Sequence, residues 1–288
     1  MSGTEAAACC ARFYEQDWVR AVLGDSFHPG GVELSARLVA ALAVPPGARA
    51  LDVACGIGTT TRLMADAHGL TAFGVDASEA NVARAQVLAG APLRAPAVFA
   101  TGTAEALPFA DGTFDAVVCE CAVSTFADQP RAVAEFARVL KPGGAVGISD
   151  MVVEGALPAD VAGLVAPWTC LSGARSAVDT QRLFLDAGLV AVGYADETAA
   201  LRELVVDLKR KLLTAGLARA VAQVPGLEAL DVRGLRDLLN RAAALVDAGT
   251  VQYARFWFAK GRPRFGSARA EPACDPATGC CAGEPRRG

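Results

Sequence analysis

Three groups of residues in this chain could do chemistry: a glycine turn with a carboxylate behind it, a Cys-Glu-Cys triplet, and several further cysteines. The turn is Asp52-Val53-Ala54-Cys55-Gly56-Ile57-Gly58. It follows a short apolar run over 48–53 and precedes a helical pattern over 60–68. Strand, glycine turn and helix in that order hold a nucleotide-like ligand at the edge of a parallel sheet. Glycine lets the backbone approach the ligand closely and take φ > 0. About twenty residues on, Asp76 ends a second apolar run, where a carboxylate can accept hydrogen bonds from ribose hydroxyls. A dinucleotide fingerprint needs a third glycine near 61, and that residue is Thr61. The missing glycine favours a ligand without a pyrophosphate, such as S-adenosylmethionine, over NAD.

Cysteine usage is the second signal. There are nine: Cys9, Cys10, Cys55, Cys119, Cys121, Cys170, Cys274, Cys280 and Cys281. The odd count and irregular spacing argue against a disulfide framework, and no repeated C-x-x-C pairs point to a zinc ribbon. Buried core thiols, reactive thiols and ligands for a thiophilic ion remain. Cys119, Glu120 and Cys121 fall at the carboxyl end of a strand, beyond which ligands bind in an open parallel sheet. By the period of two, Cys119 and Cys121 point one way and Glu120 the other. Packing is the plain alternative for each cysteine, since free cysteines are mostly small buried hydrophobes. Cys274, Cys280 and Cys281 lie in a Pro-, Gly- and Arg-rich tail, as do Cys9 and Cys10 near the other terminus, where packing explains them less well. His28, one of two histidines, falls in a glycine-rich loop as a base, a cofactor contact or a cap. Tyr14 and Trp18 could cover the cofactor or pack on a helix face.

These groups need a scaffold. Strands are expected near 48–53, 71–75, 95–100, 114–119, 145–153, 189–195 and 251–258, with helices near 59–68, 79–88, 129–140 and 177–187. Lys141-Pro142-Gly143-Gly144 reads as a helix stop and turn. The alternation predicts an α/β fold: a Rossmann-like, seven-stranded, mostly parallel sheet with helices on both faces. Residues 1–45 read as a helical cap and 46–260 as the main domain. A further helix is expected over 158–167. Helices over 198–248 form an insertion before the last strand that is long for a plain connection. Residues 261–288 read as a disordered tail.

In combination, the turn over 51–58, Gly74-Val75-Asp76, Ala104-Glu105-Ala106-Leu107-Pro108-Phe109, Phe114-Asp115 and Leu140-Lys141-Pro142-Gly143-Gly144 resemble the class I S-adenosylmethionine-dependent methyltransferases. The resemblance covers roughly 48–153 and is nearest to the menaquinone C-methyltransferase and arsenite methyltransferase group. It implies S-adenosylmethionine as cofactor, Asp76 on the ribose hydroxyls and the turn at the methionine end. The family's acidic residue near the adenine amino group falls at Thr103 here, so Thr103 or Glu105 is left to supply that contact, with the Ala104 backbone at the ring edge. Asp52, Cys55, Gly56, Gly58, Asp76, Ala77, Thr103, Ala104, Glu105 and Glu120 are the candidate cofactor contacts. Pro167-Trp168-Thr169-Cys170 and the small-residue turn after it resemble the segment that carries a metalloid ligand in arsenite methyltransferases. Cys119, Cys121 and Cys170 are therefore candidate metalloid ligands, and with Glu120 the candidate catalytic residues. The chain departs from that family in having Cys55 inside the turn and no cysteine over 171–273.

The formal charge of -4 gives no basic footprint, which excludes nucleic acid as the expected partner. No apolar run reaches the roughly 18 residues a membrane span needs. The first residues are too short and polar for a secretory signal, so a cytoplasmic protein is expected. Transfer of a methyl group from a sulfonium needs alignment and exclusion of water. A carbon or oxygen acceptor also needs a base, whereas trivalent arsenic has its own lone pair. Three readings follow: a methyltransferase of a metalloid, free or as a thiol adduct; a C- or O-methyltransferase of a quinol-like molecule, with Glu120 or His28 as base; and a non-catalytic thiol-rich metalloid-binding protein. Few histidines and many thiols favour the first.

Overall fold

The structure, a computed structural model, describes residues 28–90, 92–159, 161, 170–171, 173–222 and 232–264. Cys9, Cys10, Tyr14, Trp18, the tail cysteines and most of the helix expected over 158–167 lie outside the described residues.

Seven strands form one sheet in the order β3-β2-β1-β4-β5-β7-β6. They are β1 (Arg49–Val53), β2 (Thr71–Asp76), β3 (Ala97–Thr101), β4 (Phe114–Glu120), β5 (Leu140–Val153), β6 (Val190–Asp196) and β7 (Val251–Ala259). The first five are parallel, and β7 inserts antiparallel between β5 and β6. The expected Rossmann-like, mostly parallel sheet is therefore the observed one. The order reverses at β1, between β2 and β4, and ligands of open α/β sheets bind at the carboxyl ends on either side of such a switch.

Both sheet faces are apolar because helices cover both. On one face α1 (Gly31–Ala41) and α2 (Thr59–Asp66) bring Leu38, Val39 and Met64 onto Ala50, Ala116 and Val118. On the other, α4 (Gln129–Val139) and α5 (Ala177–Asp186) bring Phe136 and Phe184 onto Leu51, Val117, Ile148 and Phe258. Phe184 stacks on Phe258 with ring centroids 4.4 Å apart, and each such buried side chain contributes about 1.5–3 kcal/mol. The helix α3 (Glu79–Leu88) follows β2. Side-chain caps start three of these helices. Ser78, Asp128 and Ser176 accept from the backbone N–H of Asn81, Arg131 and Asp179, each cap contributing about 1 kcal/mol. The expected insertion appears as α6 (Thr198–Ala222) and α7 (Val232–Asp247) between β6 and β7.

One expectation holds only in part: α4 does stop, at Val139, but no separate turn follows it. The segment Leu140-Lys141-Pro142-Gly143-Gly144 is the start of β5, where Leu140 pairs with Phe114, rather than a turn outside it. The ladder shifts between Phe114 and Ala116, and Gly143 takes φ 76°. The Gly143 N–H donates to the Lys260 carbonyl at 2.7 Å, which draws this irregular stretch into the sheet. Among the described residues no helix is long and apolar enough to cross a membrane.

Candidate functional site

Three adjacent strand ends, those of β2, β1 and β4, frame the site. The chain leaves β1 through a turn with Ala54, Gly56 and Gly58 all at positive φ, 58°, 53° and 76°. Gly58 has no room for a side chain, because a Cβ there would overlap the Phe99 ring. Gly56 faces open space, with nothing within 4 Å of a Cβ position. Asp76, at the end of β2, ties the turn down. Its carboxylate accepts from the N–H of Gly56 at 2.8 Å and of Ser78 at 2.9 Å. Ala77 stands exposed beside it.

Two candidate cofactor contacts lie beneath the turn. Asp52 is buried and accepts from the Thr61 hydroxyl at 2.6 Å. Burial, reinforced by the negative charges of Glu120 and Asp76, pushes its carboxyl up to about 8. The residue that replaces the dinucleotide glycine thus anchors the turn from below. The Cys55 side chain packs with Val82, Ala85 and Phe99, and burial holds its thiol far above the ordinary range. Cys55 shapes the turn through its backbone.

Glu120 ends β4 on the α1–α2 face. Its carboxylate accepts from Ser35 Oγ at 2.9 and 3.1 Å, Thr60 Oγ1 at 2.7 Å and Ser149 Oγ at 3.4 Å. His28 Nε2 lies 3.7 Å away, and Tyr253 donates to Ser149 at 2.9 Å. Of these partners the sequence reading named only His28. A serine between buried Leu34 and Leu38, and threonines directly after a glycine turn, are the signals that could have found Ser35 and Thr60.

The two thiols of the Cys-Glu-Cys triplet part company. Cys119 is 0% exposed in the α4–α5 core with Val117, and burial holds its thiol well above the usual range. Cys121 takes φ 52°. That left-handed backbone breaks the alternation and turns Cys121 toward Leu34, Met151, Cys170 and Tyr253. Its Sγ lies 3.3 Å from that of Cys170. A carboxylate oxygen of Asp150 completes a group within 4.8 Å of one another. Cys119 therefore leaves the expected ligand set, and Cys121 and Cys170 stay together. Asp150 was missed, though a carboxylate in the apolar run 145–153 was a readable signal. Burial pushes it up to about 6 against hydrogen bonds from the Ser124 N–H and hydroxyl. The Cys170 segment is fastened by Gln129, which donates to the Gly173 carbonyl at 2.9 Å and accepts from Arg175 at 2.6 Å.

Beyond β3, Thr103 is exposed and Ala104 buried. The Glu105 carboxylate accepts from the N–H groups of Ala127 and Asp128 ahead of α4. Both bonds use one carboxylate oxygen, so Glu105 and Thr103 both remain candidates for an adenine contact.

The donor set fits S-adenosylmethionine. Asp76 offers a carboxylate for a ribose diol, and the space over Gly56 is what a ligand laid on the turn would fill. Comparison with known proteins agrees. Residues 51–148 match the family described as "methyltransferase domain". Methyltransferase GfsG of Streptomyces halstedii is 33% identical over 183 residues, 57% of this chain and 65% of that protein. The 2-methyl-6-phytyl-1,4-hydroquinone methyltransferase of Synechocystis is 39% identical over 107 residues, 37% of this chain and 33% of that protein. The chain thus spans less than two thirds of each relative's own length. The mycolic acid cyclopropane synthase CmaA1, solved with S-adenosylhomocysteine and CTAB, superposes with a TM-score of 0.76 at 16% identity, over 88% of this chain and 98% of that one. Likeness at that identity speaks for the fold. The stretch from 51 to 148 thus matches a methyltransferase domain, on a fold shared with a structure solved with S-adenosylhomocysteine.

Proposed function

We propose that this chain is an S-adenosylmethionine-dependent methyltransferase that acts on a small thiophilic acceptor, a trivalent metalloid such as arsenite or methylarsenite. The observation that carries the acceptor is the Cys121–Cys170 sulfur pair, 3.3 Å apart beside the end of β4. Soft trivalent ions prefer thiolate ligands. S-adenosylmethionine, when bound, supplies an electrophilic methyl group on a cationic sulfur. Asp76 receives the ribose hydroxyls, Gly56 and Gly58 let the backbone lie against the ligand, and Thr103 and the Ala104 backbone border the adenine. Cys121 and Cys170 hold and orient the acceptor, and its own lone pair removes the need for a base. The apolar neighbours Leu34, Met151 and Tyr253 exclude water.

A second reading is methylation of a quinol-like carbon or oxygen acid. Similarity to the hydroquinone methyltransferase of Synechocystis favours it, as do Glu120 and His28, groups able to take a proton. A transfer assay with cofactor labelled in its methyl group, run against arsenite, methylarsenite, selenite and a quinol, separates the two. Label on arsenic supports the first reading. Label on the quinol alone supports the second. Cofactor binding with no transfer to any acceptor favours a protein that has lost catalysis.

A further inference from the structure

We propose that Cys121, Asp150 and Cys170 form a binding site for a thiophilic divalent cation of the zinc class, which closes the thiol pair to other ligands while it is bound. The binding stands apart from the methyltransferase reading; only its effect on the acceptor rests on that reading.

Convergence argues first. The three residues come from just past β4, from within β5 and from the segment after β5, and their ligand atoms lie within 4.8 Å of one another. Cys121 reaches the group only through its left-handed backbone, φ 52°, a strained conformation that persists where the surroundings enforce it. Its N–H is fixed by the Ser149 carbonyl at 2.6 Å. Asp150 is buried in an apolar strand between Ile148 and Val152. Its carboxylate accepts from the Ser124 hydroxyl and the Met151 N–H, both at 2.7 Å, and from the Ser124 N–H at 2.9 Å. Outer hydrogen bonds of this kind orient a ligating carboxylate. Packing alone would call for neither the left-handed backbone nor the buried acid.

Chemistry argues second. Two sulfurs and one oxygen select a soft or borderline ion over calcium or magnesium, which take oxygen ligands. Zn–S lengths of about 2.3 Å and Zn–O lengths of about 2.0 Å put tetrahedral sulfurs about 3.8 Å apart and the oxygen about 3.5 Å from each. The sulfurs stand at 3.3 Å, so they part by about half an ångström while the carboxylate draws in by about 1 Å. One divalent ion enters and two thiol protons leave, so the charge of the buried group is unchanged. Three protein ligands leave the fourth tetrahedral position to water. Cys121 is the partly exposed member of the trio, and the ion enters on its side.

The test is titration of the reduced whole chain with Cd²⁺, read by its ultraviolet thiolate charge-transfer band, and with Zn²⁺, read against a chromophoric chelator. The parent protein carries Cys9→Ser, Cys10→Ser, Cys274→Ser, Cys280→Ser and Cys281→Ser, so that those thiols do not compete. Cys121→Ser, Cys170→Ser and Asp150→Asn are each built on it. The parent should take one ion per chain with release of two protons, and either thiol variant should lose the band. Asp150→Asn should weaken Zn²⁺ binding about tenfold or more, the scale on which even outer-shell contacts act. No binding by the parent, or equal binding by all four proteins, overturns the site. Unchanged Zn²⁺ affinity in Asp150→Asn overturns it too, since the thiols alone then account for the ion. Should that variant not fold, X-ray absorption of the zinc-loaded parent decides: two sulfurs with oxygen support the trio, and three or more sulfurs refute it. Saturating arsenite, added to the cadmium form, tests the acceptor reading separately. Release of the ion puts both ligands on one thiol pair. An undisturbed band leaves the cation site standing and counts against the metalloid acceptor alone.

Discussion

Gly56→Ala and Gly58→Ala separate the two tasks of the turn. Both residues sit at positive φ, 53° and 76°, where an alanine costs about 1–2 kcal/mol in backbone strain alone. At 58 the new methyl would also overlap the Phe99 ring and stand 3.2 Å from Ala85 Cβ. Phe99 is packed with Val82 and Ala85 and has little room to give, so overpacking adds about 1–3 kcal/mol. The expected loss at 58 is about 2–5 kcal/mol, a large share of the roughly 5–15 kcal/mol that holds a domain folded. At 56 the methyl meets nothing within 4 Å. It projects into the space assigned to the cofactor, so stability should fall only by the strain while cofactor affinity falls steeply. Urea denaturation reads the first quantity, and calorimetry with S-adenosylmethionine the second. Equal destabilisation by the two substitutions, or a Gly56→Ala protein that binds the cofactor as tightly as wild type, would refute the reasoning.

Asp52, raised by burial from 3.8 to about 8, keeps its proton in the folded state. Its contribution to stability is full below about pH 4 and lost as pH rises through about 8, by at most about 1.4 kcal/mol per unit. Asp52→Asn should remove that slope in the difference from wild type, and parallel pH profiles of the two proteins would show that Asp52 does not titrate this way. Cys170→Ser should abolish arsenite binding with little change in melting temperature or cofactor affinity, because oxygen replaces the soft ligand at similar size. Cys119→Ala should do the reverse, lowering the melting temperature and sparing arsenite binding; lost binding there would return Cys119 to the site. Truncation after Arg264, whose N–H donates to the Gly143 carbonyl, should leave a folded, cofactor-binding protein. If the tail cysteines gather metalloid before the chemical step, the truncation raises the arsenite concentration for half-maximal rate and spares the maximal rate. Identical kinetics at low arsenite would make them bystanders.

The parts legible in the sequence are those whose chemistry is local. The strand, glycine turn and carboxylate at Asp76 follow from backbone rules, and alternating strands and helices announced the parallel sheet. The sides taken by Cys119 and Glu120 follow from the period of two. Cys121 does not, because the period assumes extended backbone and this residue is left-handed. Glu105 also accepts from the N–H groups of Ala127 and Asp128 at the start of α4, a contact across more than twenty positions that no local pattern announces. The Ser35 and Ser149 contacts with Glu120 span 85 and 29 positions. No local pattern encodes such distances, whereas the fold sets them by laying α1 over the ends of β4 and β5.

The central claim is methyl transfer to an acceptor held by Cys121 and Cys170. The most direct measurement is product analysis by mass spectrometry, with arsenite and isotopically labelled S-adenosylmethionine, for wild type, Cys121→Ser and Cys170→Ser. The expected result is labelled methylated arsenic from the wild type, in step with S-adenosylhomocysteine formed, and none from either variant although both still bind the cofactor. Methylated arsenic at undiminished rate from both variants, or label passing only to a quinol with the thiols replaced, would contradict it.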